Sequence, residues 1–251
     1  MSYTPFNVIR EENFHNAWAK AVKFVVDHGA VRTFGGPEYK NGQRTGKFEQ
    51  KHIRDSRQII FLRGEAIQQI LRGEMHPQFP WTPKKLAEYC LEFDWPYLEY
   101  FKSLPTEDKK RFDYIYFDRF VNPINQLKYL RENIAEQREH LTMSNRCQAI
   151  TWQPMVDTAT GSPPCLQRVQ IRWITESYVE IETDWRSRDL YTALQSNMNC
   201  EIRMLNREVL KPNDLQIQEI IDFSTSLHIH DGDMQKAVEV KPVAINPQMM
   251  R

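Results

Sequence analysis

Residues 162–189 read SPPCLQRVQIRWITESYVEIETDWRSRD, and this stretch decides the fold. Apolar and polar side chains alternate over 169–174 and again over 178–184, which is typical of half-buried β-strands. The short polar segment between the two runs predicts a hairpin. The stretch therefore predicts two paired strands, with a cysteine behind two prolines on one side and an Arg-Ser-Arg-Asp run on the other.

The remaining elements follow from helical periodicity, capping residues and turn residues. Helices are predicted at 14–26, 65–71, 83–93, 123–140 and 190–210. Strands are predicted at 58–62 and 146–152. Residues 35–46 are predicted to form a Gly-rich loop that carries Arg44. The pattern at 215–223 is consistent with either a helix or a strand. Asn122 is the predicted cap of the helix at 123–140, with Pro123 in its first turn. We expect one domain that mixes a sheet with several helices.

The composition excludes some classes of protein. The 33 Lys and Arg residues balance 33 Asp and Glu residues, and a net charge of zero argues against a general nucleic-acid coat. No apolar run is long enough to span a bilayer, and the N-terminus lacks the apolar region of a secretory leader. The four cysteines form no C-x-x-C pair, which predicts free thiols in a reducing cytosol and a cytoplasmic protein.

Cys165 is the candidate nucleophile. A thiolate is the reactive form of cysteine and needs a nearby cation, for which Arg168, Arg186 and Arg188 are available. The alternative is a buried core cysteine, the commoner role of an isolated cysteine. The prolines before the sulfur favour a rigid loop over a strand interior.

Two further groups suit a nucleotide. Arg186 can grip a phosphate with two parallel hydrogen bonds and Ser187 adds a hydroxyl donor, although a solvated charge cluster at a strand end is the alternative. The amide of Asn197 can donate and accept at once, which matches the O4 and N3–H edge of uracil. Its alternative is an amide on a helix surface.

Histidines and paired carboxylates offer more candidates. The spacing of His228 and His230 places both rings on one face of a strand, and together with Asp233 they could form a metal site. The favoured interpretation is instead a hydrogen bond between His228 and a sugar hydroxyl. Glu88 and Glu92 lie four residues apart on one predicted helix. One of them can transfer protons if it is buried, whereas surface charge is the usual role of such residues.

Together these residues resemble the superfamily of thymidylate synthases and pyrimidine nucleotide hydroxymethylases, and its archaeal type in particular. Pro164-Cys165 resembles the family's catalytic Pro-Cys, and Arg186 to Asp189 resembles its Arg-Ser-x-Asp, with Asn197 at the family's interval. Further segments resemble its Tyr-x-Tyr, its Ser-Arg-Arg strand, its His-x-Tyr and its C-terminal tail, at 114–119, 144–152, 226–230 and 241–245 respectively.

The resemblance implies a fold, an activity and partners. The fold is α+β, one domain over 1–251 with a large twisted mixed sheet flanked by helices, and it dimerises through that sheet. The Cys165 thiolate adds to C6 of dUMP, and C5 then takes a one-carbon unit from 5,10-methylenetetrahydrofolate or a related pterin carrier to give dTMP. The expected partners are a pyrimidine nucleoside monophosphate and a second subunit with shared active sites, with no nucleic acid and no membrane.

The resemblance also assigns roles to single residues. The catalytic set is Cys165, Tyr116, Asp189 and, for proton transfer, Glu88, with Glu92 as the alternative. The phosphate is assigned to Arg44, Arg186, Ser187 and, from the partner subunit, Arg146. The base is assigned to Asn197, the sugar to His228 and His230, and the folate ring to Asp189. No metal is expected.

The sequence departs from the family at several positions. Asn145 stands where the family has the first of two arginines, and His230 replaces a tyrosine that touches the sugar. Ala193 and Ser196 break the family's pattern before Asn197. These changes leave two alternatives to methylation of dUMP: a 5-hydroxymethylase of dUMP or another pyrimidine nucleotide, and a non-catalytic nucleotide-binding homologue. The second has no need of the Cys165 nucleophile.

Overall fold

Helices and strands are interspersed along the chain in the computed structural model, which describes residues 3–40, 43–105, 114–159 and 163–244, with the backbone alone at 37–40, 43–45, 48 and 49. The strands are β1 (Phe6–Glu11), β2 (Ala30–Lys40), β3 (Gln43–Arg63), β4 (Gln148–Ile150), β5 (Leu166–Thr175), β6 (Tyr178–Trp185), β7 (Arg188–Asp189) and β8 (Gln216–His230). The helices are α1 (Phe14–His28), α2 (Glu65–Arg72), α3 (Pro83–Leu91), α4 (Trp95–Ser103), α5 (Tyr116–Val121), α6 (Gln126–Glu139), α7 (Pro154–Asp157), α8 (Leu194–Leu205) and α9 (Asp231–Ala237).

The described strands form one mixed sheet. Its order is β1-β3-β8-β6-β5-β4, with β2 paired to the first part of β3 and β7 paired to β8. The β1–β3, β6–β8 and β7–β8 pairs are parallel, and the β2–β3, β3–β8, β4–β5 and β5–β6 pairs are antiparallel. The sheet and the helices that flank it make a single-domain α+β fold, as the sequence predicts.

The predicted hairpin is confirmed as β5 and β6, and its two faces differ in polarity. On β6 the side chains of Val179, Ile181 and Trp185 are buried in the core. Glu180 and Glu182 alternate with them and form ion pairs across to β5, with Arg172 and Arg168 respectively. Alternate residues of a strand point to opposite faces, so one face of the sheet packs under helices and the other carries charge pairs.

Helix α1 confirms the prediction at 14–26 and ties the first part of the chain to the middle. The side chain of Asn13 caps it by accepting a hydrogen bond from the backbone N–H of Asn16. Its buried face includes Trp18, whose Nε1 donates to the carbonyl oxygen of Leu190 at 2.9 Å. Helix α1 therefore braces the segment that follows β7.

The prediction of a Gly-rich loop at 35–46 is wrong. Residues 35–40 and 43–46 belong to the arm formed by β2 and β3, where Gly35 pairs with Gln50 and Gly36 with Glu49. Backbone pairing with the next strand along the chain overrides the local preference of glycine for turns. Arg44 lies at the start of β3, and its side chain is outside the described residues.

Helix α6 begins later than predicted. The backbone N–H of Asn122 donates to Asp118 at 2.8 Å and so closes α5 instead of opening α6. The side chain of Asn125 accepts from the backbone N–H of Lys128 at 2.9 Å, which makes Asn125 the cap. The ambiguous segment at 215–223 is a strand, since it forms the first part of β8.

The prediction of four free thiols is wrong for two of them. Cys90 on α3 and Cys200 on α8 form a disulfide, with their Cα atoms 5.0 Å apart and a sequence separation of 110. Cys147 and Cys165 are free. Within the described residues, the helices are too short or too polar for any of them to cross a membrane.

Candidate functional site

The loop before β5 holds Cys165 beside Arg186. The β5–β6 register pairs Leu166 with Trp185, so the residue before β5 and the residue after β6 are neighbours. The guanidinium of Arg186 donates from Nε to the carbonyl oxygen of Pro164 at 2.9 Å and from Nη2 to that of Pro163 at 2.6 Å. The backbone N–H of Arg186 also donates to the backbone carbonyl oxygen of Cys165 at 3.0 Å. The hairpin thus fixes the rigid Pro-Pro-Cys loop predicted from the sequence.

The environment of the Cys165 thiol has opposing effects on its acidity. Burial raises the pKa of the thiol, and the positive charges of Arg186 and Arg188 lower it in part. Arg188 is itself buried: it pairs with Asp222 and lies 4.3 Å from the centre of the Trp185 ring. In the protein alone the balance favours the protonated thiol, with two guanidinium groups close enough to stabilise a thiolate.

Tyr114 and Tyr116 both lie against the loop that carries Cys165. The sequence does not predict which of the two is nearer to Cys165. The hydroxyl of Tyr114 hydrogen-bonds the backbone of Cys165 and the hydroxyl of Tyr116, and burial raises its pKa to about 12. Tyr116 lies deeper, with its ring edge-on to Trp185 at 5.8 Å between centroids. Tyr116 is the predicted catalytic tyrosine, whereas Tyr114 is the one whose hydroxyl contacts Cys165.

An aromatic cavity of about 740 Å³ opens beside these tyrosines. Its lining residues are mostly aromatic or ionisable: Trp81, Lys85, Glu88, Tyr89, Leu91, Glu92, Tyr97, Tyr114, Ile115 and Tyr116. Two walls come from α3 and from the segment before α5. A cavity of this size with a few polar groups is the usual form of a small-molecule site.

The two candidate glutamates differ in their surroundings. The side chain of Glu88 is 63% exposed and lies 3.9 Å from Lys84. Glu92 follows α3 and faces the cavity, and burial raises the pKa of its carboxyl to about 7. A carboxyl that titrates near neutrality suits proton transfer, so its raised pKa favours Glu92 although both side chains line the cavity.

Asn197 lies in the first turn of α8 and meets the cavity wall. It is buried, and its Nδ2 donates to the hydroxyl oxygen of Tyr89 at 2.8 Å. Tyr89 lines the cavity. The sequence analysis did not select Tyr89, because no motif contains it; its place on the same helix as Glu88 and Glu92 was the available signal.

Asp189, His228 and His230 form a second cluster at the junction of three strands. The register pairs His228 of β8 with Asp189 on one side and with Asp55 of β3 on the other. Burial, together with the neighbouring His230, lowers the pKa of His228 to about 4. His228 is therefore neutral near pH 7 and acts as a hydrogen-bonding group, in keeping with a polar contact to a sugar.

The carboxylate of Asp189 is already engaged within the fold. It accepts hydrogen bonds from the backbone N–H groups of Tyr191 and Thr192 at 2.9 and 3.0 Å, and from the Thr192 hydroxyl at 2.6 Å. His230 lies 3.9 Å from its second oxygen. These bonds shape the turn that leads into α8, so Asp189 helps to position Asn197.

Two further predicted residues, Ser187 and Arg146, do not line the cavity. Ser187 is buried next to Arg186. Arg146 is exposed just before β4, the strand at one end of the sheet, and its backbone carbonyl accepts from the Tyr129 hydroxyl at 3.2 Å. Among the described residues there is no group of three His, Cys, Asp or Glu side chains that could hold a metal ion, so the alternative of a metal site at His228 and His230 gains no support.

Comparison with known proteins supports the resemblance. The chain is 23% identical over 229 residues to a protein of Methanosarcina mazei named "Putative thymidylate synthase", a match that covers 90% of each chain. It is 23% identical over 237 residues to a protein of the same name from Methanococcoides burtonii, covering 93% of this chain and 94% of that one. A protein of that name from Methanocaldococcus jannaschii is 34% identical over 135 residues, which are 49% of this chain and 56% of that one. No family model matches the chain. The similarity to several archaeal proteins over most of the chain supports a thymidylate synthase-like family.

Proposed function

We propose that this protein transfers a one-carbon unit to C5 of a uracil nucleotide, dUMP, through a covalent bond between Cys165 and C6. The observation that carries the proposal is the setting of Cys165: a rigid loop held by Arg186, a second cation in Arg188, and a hydrogen bond from its backbone to Tyr114. A protein that only binds a nucleotide has no need of a thiol placed in this way.

The first step would be addition of the thiolate to the base. The sulfur forms a bond to C6 while the electron pair of the C5–C6 double bond moves toward O4. An N–H of Asn197 donated to O4 would stabilise the negative charge that develops there. The charges of Arg186 and Arg188, which lower the pKa of Cys165, favour the ionised sulfur that this step requires.

Glu92 is our choice for proton transfer, in preference to Glu88. Its carboxyl faces the cavity with a pKa of about 7, so both protonation states are available near neutral pH. It can give a proton to O4 as charge develops and take it back later, whereas the exposed Glu88 has solvent and Lys84 for neighbours.

The cavity suits a flat heteroaromatic carrier. The rings of Trp81, Tyr89 and Tyr97 line it, and Lys85 lies 4.2 Å from the centre of the Trp81 ring. Aromatic side chains of this kind offer faces and edges for stacking with a pterin. When bound there, 5,10-methylenetetrahydrofolate or a related pterin would supply both the one-carbon unit to C5 and the hydride that reduces this unit to a methyl group, and the carrier itself would be oxidised.

The phosphate would be held by residues of two subunits. The Nη1 group of Arg186 takes part in neither bond to the proline carbonyls and can donate to a phosphate. The hydroxyl of the next residue, Ser187, is a second candidate donor. Arg146 is exposed at one end of the sheet, where it can reach across an interface. We therefore propose a homodimer in which each Arg146 serves the neighbouring site.

Product analysis tests this function. The purified protein is incubated with dUMP and methylenetetrahydrofolate, and the nucleotide product is weighed by mass spectrometry. We expect dTMP from the wild type and from Cys147→Ser, whose thiol is buried away from the cavity, and no product from Cys165→Ser. A product heavier by one oxygen would identify a hydroxymethylase. Unmodified dUMP with the wild type, or turnover by Cys165→Ser, would contradict the proposal.

A further inference from the structure

Tyr89 lines the cavity and binds Asn197, which lies behind it on α8. Nδ2 of Asn197 donates to the Tyr89 hydroxyl oxygen at 2.8 Å, across 108 positions of sequence. Asn197 is buried, so its amide has few partners to choose from. A buried polar group that loses such a partner is destabilised, and this contact therefore constrains the amide.

The position of Tyr89 is itself fixed. Its ring packs edge-on against Trp81 at 5.4 Å and Phe93 at 5.5 Å between centroids. The next residue, Cys90, forms the disulfide with Cys200, which follows Asn197 by less than one helical turn. Two links side by side, one covalent and one a hydrogen bond, thus join α3 to α8 at the point where Asn197 meets the cavity.

The Tyr89 hydroxyl is the acceptor in this contact. Nδ2 of Asn197 carries two N–H groups and no lone pair, so the phenol oxygen supplies the lone pair for the hydrogen bond. The carboxyls of Glu92 and Glu201 and the phenol of Tyr114 lie near the same hydroxyl.

The orientation of a carboxamide decides which pyrimidine it matches. With its N–H toward O4 and its oxygen toward N3–H, it pairs with uracil. Turned over, it presents the N–H to N3 of cytosine and the oxygen to the N4 amino group. Asparagine alone can therefore accept either base, and a group that fixes its orientation is needed for selection.

We propose that Tyr89 sets the base preference of this site, because its hydroxyl fixes Asn197 in the orientation that matches uracil. Tyr89 is thus a positioning residue that acts through Asn197. The inference rests on the proposed function, in that Asn197 must read the base, but it does not require catalysis. It names a specificity-determining residue outside every motif that the sequence offers.

The test is a comparison of nucleotide affinities in Tyr89→Phe. Calorimetry with dUMP and with dCMP, in the absence of a one-carbon carrier, gives two values of Kd for each variant. An inactive fraction of protein changes the fitted stoichiometry and leaves Kd unchanged, so partial misfolding does not mimic the effect. We expect the preference for dUMP to fall by about ten-fold in Tyr89→Phe, since one buried polar contact is lost.

Matched variants separate the possible failures. Tyr100→Phe loses a tyrosine hydroxyl outside the cavity and should keep the wild-type ratio, whereas Asn197→Asp should shift the ratio toward dCMP. An unchanged ratio in Tyr89→Phe, together with a shifted ratio in Asn197→Asp, would overturn the role of Tyr89 and leave the proposed function standing. A wild type that binds neither nucleotide, or a ratio that Asn197→Asp leaves unchanged, would overturn base reading by Asn197 and this inference with it.

Discussion

The guanidinium of Arg186 donates to the carbonyl oxygen of Pro164 at 2.9 Å, one residue before the sulfur of Cys165. A second bond, to Pro163 at 2.6 Å, gives the arginine a two-point grip on the loop. The same group lowers the pKa of the Cys165 thiol by its charge. Arg186 thus links the position of the nucleophile to its ionisation, besides any role toward a phosphate.

Removal of this charge should make the thiol less acidic. In Arg186→Gln the burial of Cys165 continues to raise the thiol pKa, while the largest charge that opposes burial is lost. We expect the rate of alkylation of Cys165 by iodoacetamide to rise at a higher pH than in the wild type. Arg168→Gln, which removes an arginine paired with Glu182, is the control and should not shift the profile. Identical profiles for the wild type and Arg186→Gln would exclude the electrostatic role.

Glu92 and Glu88 should respond differently to the same substitution. Glu92→Gln keeps the shape of the side chain and removes a carboxyl whose pKa is about 7. We expect kcat to fall by about 10²–10⁴-fold with little change in dUMP affinity. Glu88→Gln changes an exposed side chain and should stay within about two-fold of the wild type. Equal losses in the two variants would contradict the assignment of Glu92.

Glu201 predicts a pH dependence of stability. Its side chain is buried, Oε1 has no hydrogen-bond partner among the described residues, and burial raises its pKa to about 8. A raised carboxyl pKa means that the folded state holds a proton that the unfolded state has released. The free energy of unfolding should therefore fall by up to about 1.4 kcal/mol per pH unit between the ordinary glutamate range and about pH 8, and level off above it.

The variant Glu201→Gln should remove the contribution of Glu201 to this slope, since the amide stays neutral, while the carboxyl of Glu92, whose pKa is about 7, still contributes below that pH. Urea unfolding at several pH values measures the slope, and the variant should gain stability over the wild type at about pH 8 more than at about pH 5. Glu132→Gln, at an exposed position on α6, serves as the control. An equal slope in Glu201→Gln and the wild type would assign the pH dependence to other groups.

Subunit mixing tests the dimer and the shared site. Arg146→Ala and Cys165→Ala homodimers should each be inactive, because every site lacks one of the two groups. In a mixed dimer one site regains both the thiol and the neighbour's arginine, so random mixing should restore about a quarter of wild-type activity. Sedimentation must show that mixed dimers form. A monomeric protein, or mixed dimers without activity, would argue against the exchange of Arg146.

Local sequence patterns predicted the elements whose burial follows a simple period. The β5–β6 hairpin alternates apolar and polar residues, and α1 has a cap at Asn13, an apolar face and Gly29 after its last turn. The β2–β3 arm was missed because its glycines favour turns, and the pairing that overrides this preference depends on two strands together and not on a pattern within one of them. Strand β8 was ambiguous because its buried residues do not alternate regularly with exposed ones.

The residues of the candidate site were likewise predicted where a local motif contains them and missed where tertiary packing decides. The spacing of the motifs identified Cys165, Arg186 and Asn197 as candidates. In the structure Arg186 is bonded to the loop that carries Cys165, and Asn197 is bonded to Tyr89 of the cavity wall. Glu88 and Glu92 are four residues apart and lie on the same face of a helix, so helical periodicity does not distinguish them. Which of the two is buried depends on how α3 packs against α8. The Cys90–Cys200 disulfide was missed for a related reason, since two cysteines separated by 110 residues carry no local signal of their contact.

The most direct measurement of the central claim is the capture of the bond between Cys165 and C6. Fluorine at C5 cannot leave as a proton does, so incubation with 5-fluoro-dUMP and methylenetetrahydrofolate should stop the reaction after the bond has formed. Intact-mass spectrometry and peptide mapping should then find the nucleotide attached at Cys165 in the wild type and in Cys147→Ser, and no adduct in Cys165→Ser. A nucleotide attached to another residue, or turnover of dUMP by the wild type with no adduct formed from the fluoro analogue, would contradict the account.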